Sequence, residues 1–312
     1  MKITDVKVYD LRYPLVEPFA NSQVWAKART AGVVEIVTDA GITGWGEGLH
    51  APDPSAIASL LVGKDPFDIE VIWHGLYARG WGDVAAMSGV DIALWDILGK
   101  ALDMPIYRLL GGAFRDRIPA YASGLFNKEK PDITQALMDE AKGYVDLGFP
   151  AVKMKIGFGA AYDVVNVAAV RKGIGDSTLL AVDANCGYDA ATAIDVGQRI
   201  LENDLLWFEE PISTDDVEGY VEIRRALKVR IAGGEMLRGR SGFRDLIQKR
   251  GVDIVQPDIS VAGGFTECRK IAAMASVNHV RLLPHMWGTS IRLAATIHWQ
   301  ATIPNAPDTL NP

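Results

Sequence analysis

Between Lys155 and His285 the chain repeats one unit: a short apolar run ending on a polar residue, then an amphipathic stretch. The polar markers are Lys155, Asp183, Glu209, Glu235, Asp258 and His285, separated by 28, 26, 26, 23 and 27 residues. A module of that size is a strand followed by a helix, and its repetition predicts a parallel sheet with crossover helices. In a (β/α)8-type barrel the chemistry gathers at the C-terminal ends of the strands, which is where every marker falls. Seven runs read as strands: PAYASG, PAVKMKI, TLLAVDAN, LLWFEEP, VRIAGGE, VDIVQPD and VRLLPH. The stretches Ile133 to Leu147 and Ser290 to Thr302 read as helices that connect or follow them.

The first part of the chain follows another rhythm. Ile3 to Tyr9 and Val33 to Thr38 alternate like strands, Asp39-Ala40-Gly41 reads as a hairpin turn, and Val84 to Leu102 has helical periodicity. Pro105 and the pair Gly111-Gly112 end that helical part. We therefore expect an α+β domain over residues 1–117 and a barrel domain over residues 118–312.

The formal net charge of −7 argues against a polyanionic partner, because nucleic-acid and membrane-surface binders present clustered basic residues. A small molecule is the expected partner. Cys186 and Cys268 form no Cys-x-x-Cys pattern, so neither a disulfide framework nor a thiolate zinc site is indicated. The N-terminus alternates apolar and polar residues and resembles neither a signal peptide nor a membrane span, so a cytoplasmic location is expected.

Three acidic markers on consecutive strands carry the chemistry. A buried carboxylate at a strand end is costly unless paired or bound to metal, and Asp183, Glu209 and Glu235 together call for a shared cation. All-oxygen ligands favour a hard ion such as Mg²⁺ over zinc. The competing structural reading is that each acid caps the following helix. Lys153 and Lys155 stand two apart on a strand and so point to one side. Mutual repulsion, with a divalent ion nearby, predicts lowered lysine pKa values and a neutral amine able to act as base. Asp258 and His285 end successive strands, where the carboxylate can fix the imidazole tautomer. Bases on two sides of a metal site are the equipment for removing a proton next to a carboxylate, through an enediolate. The Gly157-Phe158-Gly159 turn is not a dinucleotide loop, because Tyr162 stands where the third glycine is needed.

The motifs Lys153-Met154-Lys155, Asp183-Ala184-Asn185, Glu209-Glu210-Pro211, Gly233-Gly234-Glu235, Gln256-Pro257-Asp258 and Pro284-His285-Met286-Trp287-Gly288-Thr289 together resemble the enolase superfamily. The closest likeness is to its mandelate-racemase-like subgroup, and the segment from Asp91 to Gly112 is similar to the capping-domain signature. The resemblance implies a modified TIM barrel, (β/α)7β, under an N-terminal α+β capping domain. It also implies Mg²⁺ on Asp183, Glu209 and Glu235, with Lys155, helped by Lys153, and His285, paired with Asp258, as acid and base. Asn185 and the capping segments that carry Trp25 and His50 would contact a small carboxylate substrate, and family habit implies a homo-oligomer. Acid-sugar enzymes are the nearest in appearance, with dehydration weighed first, lactone cycloisomerisation next, and racemisation or epimerisation using the same two bases.

Two other classes compete: a catalytically silent binding homologue, and a metal-dependent hydrolase. The first leaves no reason to keep all these positions together, and the second ordinarily uses several histidine ligands. The sequence stops in the Pro-rich run Asn305 to Pro312, where an eighth strand is expected, so a longer natural chain carrying that strand and a C-terminal cap segment is anticipated.

Overall fold

The computed structural model describes residues 1–78 and 83–304. The Pro-rich run 305–312, where an eighth strand is expected, lies outside the described residues.

Strands β1 (Ile3–Ala20), β2 (Trp25–Thr38) and β3 (Thr43–Gly48) form an antiparallel sheet in that order. The expected hairpin joins β2 to β3, with Gly41 supplying the positive φ of 73° that the turn requires. Both β1 and β2 are much longer than their apolar alternation suggests. Their outer halves form a largely solvent-facing ribbon whose register shifts between Pro14 and Phe19, so backbone pairing, and not burial, extends them.

Helices α1 (Pro54–Leu61), α2 (Ile69–Leu76) and α3 (Val84–Ala101) bury Ile57, Leu61, Ile72, Trp73, Leu94 and Ile97 against Ile3, Val6, Val34 and Ile36. Glycines let β3 lie flat on α3: a Cβ at Gly46 would sit 1.9 Å from the Gly89 carbonyl oxygen. After the short helix α4 (Ile106–Leu109) the chain enters the second pattern.

Seven parallel strands follow: β4 (Ala122–Gly124), β5 (Ala151–Lys155), β6 (Leu179–Asp183), β7 (Leu205–Glu209), β8 (Ile231–Gly233), β9 (Ile254–Val255) and β10 (Arg281–Leu282). They pair in chain order, as right-handed βα crossovers in a barrel require. The intervening helices are α5 (Ile133–Asp146), α6 (Ala160–Ile174), α7 (Ala190–Ile200), α8 (Val217–Ala226), α9 (Gly239–Gln248), α10 (Ile259–Ala262) and α11 (Gly264–Val277), and α12 (Ser290–Ala301) follows β10. Val152, Met154, Leu180, Val182 and Phe208 pack outward onto helix residues such as Val167, Val170, Val196 and Ile223. Inside the barrel, Ala181, Trp207, Ala232 and Ile254 form a small layer with Tyr121 and Leu283. The architecture is the modified TIM barrel with an N-terminal α+β cap that the sequence predicts.

Cap and barrel meet along α2 and α3. Trp73 Nε1 donates to the Gly263 carbonyl at 2.9 Å, Trp95 Nε1 to Thr266 Oγ1 at 3.2 Å, and the Thr266 N–H to Asp91 at 3.1 Å. Among the described residues no helix is long and apolar enough to cross a membrane.

Candidate active site

Lys155, Asp183 and Glu209 are the last residues of three adjacent strands and pair directly across the sheet. Parallel register places them in one row at the barrel mouth, side chains on one face. Glu235 arrives differently: it lies beyond β8, past Gly234, whose φ of 107° turns the backbone back toward the row. Asp258 and His285 also follow their strands, joined by an isolated parallel bridge.

The competing capping role fails for the three markers Asp183, Glu209 and Glu235. The N-caps of α7 and α8 are Asp189 and Asp216, and the N-cap of α9 is Arg238, which makes no side-chain capping bond. Asp258 does cap α10, accepting from the Ser260 N–H at 2.8 Å.

Lys153 and Lys155 point to one side as expected. Lys153 Nζ contacts Glu209 and lies 3.3 Å from Asp183 Oδ2, and Lys155 Nζ lies 2.5 Å from the same oxygen. The other Glu209 oxygen accepts from Trp207 Nε1 and Gln256 Nε2, both at 2.8 Å. Burial alone would push Asp183 upward, yet Lys155 and Lys153 hold it below the ordinary carboxylate range. Burial prevails at Glu209, which is raised despite Lys153.

The expectation of a lowered pKa does not hold for Lys153. Burial works to lower it, but Glu209, Tyr121, Asp183 and Glu235 outweigh that and raise it well above the usual lysine value. The expectation counted the repulsion between two ammonium groups and undercounted the carboxylates facing them.

His285 completes the far side. Its Nδ1 lies 2.7 Å from Asp258 Oδ2 and its Nε2 lies 3.2 Å from Glu235 Oε2. Burial disfavours the imidazolium, but Glu235 and Asp258 raise the histidine above its ordinary pKa.

The fit to a divalent cation is good. Ligand oxygens of Asp183, Glu209 and Glu235 all lie within 4.8 Å of one another. Asn185 Oδ1 is buried and accepts no hydrogen bond, and Glu235 Oε2, also buried, has the His285 Nε2 contact at 3.2 Å without a hydrogen bond, so both keep coordinating capacity. The donors are all oxygen, which suits a hard ion of the Mg²⁺ type.

Of the expected substrate contacts, Asn185 joins the cluster, its Nδ2 3.5 Å from Glu235 Oε1. Trp25 opens β2 and is 42 % exposed, and His50 is exposed beyond β3; neither makes a hydrogen bond to the carboxylate cluster. Ser22, in the same capping segment as Trp25, instead docks on the site, its hydroxyl donating 2.6 Å to the Ala184 carbonyl.

Sequence reasoning missed four further groups: Trp207 and Gln256 on Glu209, Glu47 from the cap, and Arg292. Arg292 was the most legible of these. It lies on the buried stripe Arg292, Ala295, Thr296 and Trp299 of α12, and a guanidinium in such a stripe demands a counter-charge.

Comparison with known proteins agrees with this architecture. Residues 136–309 match the Enolase C-terminal domain-like family, and residues 3–111 match the Mandelate racemase / muconate lactonizing enzyme, N-terminal domain. D-galactarolactone cycloisomerase from Agrobacterium fabrum is 39 % identical over 323 aligned residues, covering 100 % of this chain and 85 % of the relative. Arabinonate dehydratase from Saccharolobus solfataricus is 37 % identical, over 88 % of this chain and 76 % of the relative. The crystal structure of 3,6-anhydro-D-galactonate cycloisomerase from Zobellia galactanivorans superposes with a TM-score of 0.87 at 37 % identity, over 97 % of this chain and 85 % of that one. Two-part cap-and-barrel matching and relatives of this identity lead to one conclusion: the chain is an enzyme of the enolase superfamily, in its mandelate racemase-like branch.

Proposed function

We propose that the protein removes the proton on the carbon next to the carboxylate of an acid sugar and expels a β-hydroxyl, acting as an aldonate or aldarate dehydratase. The observation that carries this reading is that Lys155 lies against Asp183 and His285 against Glu235, at the two ends of the carboxylate trio. In this reading residues 1–117 form the cap and residues 118–312 the barrel, and Asp183, Glu209 and Glu235 hold Mg²⁺.

Bound there, the ion supplies positive charge beside the substrate carboxylate as negative charge builds on it. Lys155 Nζ takes the α-proton, and the Lys153 ammonium adds charge to the same side. His285 Nε2, carrying a proton, gives it to the departing hydroxyl, so that water leaves and the enol product ketonises. Asn185 would orient the substrate, and Trp25 and His50 would meet its distal end.

A second reading is lactone cycloisomerisation, in which the oxygen leaving the β-carbon belongs to a ring and no water is lost. The cycloisomerase relative that aligns along the whole chain favours it. Both readings are separated by screening sugar acids and their lactones in D₂O with Mg²⁺ and identifying products by NMR. A dehydrated keto acid supports the first and an isomer of the starting material the second. Neither turnover nor deuterium incorporation with any acid or lactone would remove both. Lys155→Ala and His285→Asn should each abolish turnover, and unchanged exchange in both variants would contradict the two-base assignment.

A further inference from the structure

His285 can serve a substrate only if its imidazole keeps one orientation and one tautomer. Asp258 holds it, and the structure shows what holds Asp258. The carboxylate is fully buried, and each of its oxygens meets two protein groups. Oδ1 accepts from the Ser260 N–H and from Arg292 Nε, both at 2.8 Å, while Oδ2 faces His285 Nδ1 at 2.7 Å and Arg292 Nη2. The guanidinium therefore grips both oxygens as a fork, fixing the carboxylate plane, which a lysine's single ammonium cannot reproduce.

Arg292 is itself held. It is 4 % exposed, its backbone N–H donates to Glu47 Oε2 at 3.3 Å, and its carbonyl accepts from Thr296 Oγ1 at 2.8 Å. Its stem passes over Gly288, where a Cβ would meet Arg292 Cδ at 2.4 Å.

We propose that Arg292 is a positioning residue for the reaction: by clamping Asp258 it aims Oδ2 at His285 Nδ1, keeps a proton on that nitrogen, and leaves Nε2 on the side of the carboxylate trio, where it lies 3.2 Å from Glu235 Oε2. The chain of contacts runs from α12 through Asp258 to the imidazole, so the helix after β10 acts on the barrel mouth without touching substrate. An ionised carboxylate only accepts, so the nitrogen against it must donate. This inference rests on the assignment of His285 as one of the two proton-transfer groups.

The test uses the Mg²⁺-loaded protein with the acid sugar found by the screen above, and compares wild type with Arg292→Met and Arg292→Lys. Loss of the clamp should lower kcat by about 100-fold, the scale of one misplaced general acid or base, with KM changed less than about threefold. Arg292→Lys, retaining the charge, should recover about tenfold of that loss. Selective ¹⁵N labelling of histidine gives a readout independent of turnover: His285 should show a protonated Nδ1 in wild type and a mixed tautomer signal in Arg292→Met. If Arg292→Met fails to fold, Arg292→Lys alone decides the question: a point charge without the fork should leave kcat about tenfold below wild type with a mixed His285 tautomer signal. Wild-type kcat in Arg292→Met, or an unchanged His285 tautomer signal in the folded variants, overturns the inference. A wild-type enzyme that turns over no acid while its Nδ1 tautomer responds to Arg292 would leave the clamp standing and sink the dehydratase reading.

Discussion

Glu47, in the last strand of the cap's antiparallel sheet, accepts hydrogen bonds from the backbone N–H of Thr289 at 3.2 and 3.1 Å and from its hydroxyl, across 242 residues of sequence. One carboxylate from the cap therefore serves the N-terminus of α12, the helix that carries Arg292. Carboxylate binding at a helix start is favoured by the unpaired N–H groups and the helix dipole. Replacing Glu47 by Ala should destabilise the protein by about 1–3 kcal/mol, the scale of stranding buried donors, and Glu47→Gln should cost less. Calorimetric melting of both variants checks this, and equal melting temperatures for Glu47→Ala and wild type would exclude the anchoring role.

Asp91 introduces a pH dependence of stability away from the barrel mouth. Burial raises its carboxyl to about 7, only partly offset by the hydrogen bonds from Thr266. A folded-state pKa above the unfolded value means that the native state binds the extra proton between the two. Unfolding free energy should therefore fall as pH rises from about 4 to about 7, by up to about 4 kcal/mol from this group alone. Denaturant melts across that range should show the slope flattened in Asp91→Asn, whose amide oxygen can still accept from Thr266.

The carboxylate trio should bind Mg²⁺ in the absence of any substrate. Titration calorimetry should detect binding to wild type and none to Asp183→Ala. Gln256 supports the site from behind by donating to Glu209 at 2.8 Å, so Gln256→Leu should weaken Mg²⁺ by about 10- to 100-fold without abolishing it. Equal affinity in wild type and Asp183→Ala would place the ion elsewhere.

Two glycines in the cap should respond in opposite directions to the same substitution. Gly46→Ala puts a Cβ 1.9 Å from the Gly89 carbonyl and should cost at least about 2 kcal/mol, because backbone on both sides must move. Gly75 is exposed in α2 with nothing within 4 Å of its added Cβ, so Gly75→Ala should gain about 0.5–1 kcal/mol from helix propensity. Thermal melts of the pair check both signs.

Six of the seven parallel strands were legible because a polar residue ends or closely follows each apolar run, and that punctuation also marked Asp183, Glu209 and His285. Strand lengths were not: β9 and β10 are two residues each, since the chain leaves the ladder just where the functional side chains begin. Ser22 and Glu47 were illegible as site supports because their partners lie 162 and 242 residues away, and nothing local marks such a contact. The direction of the Lys153 shift was misjudged for a related reason: it depends on how many carboxylates converge, a quantity set by three dimensions.

The row Lys155, Asp183 and Glu209 has an evolutionary consequence. Because these residues are fixed by cross-strand pairing, α6 and α7 can lengthen, shorten or exchange surface residues without displacing the row. A single insertion inside β6 would instead turn Asp183 to the outside of the barrel and Val182 or Ala184 into its place. The fold thus separates two kinds of sequence drift: the connections can vary freely, while the three short strands tolerate none in length.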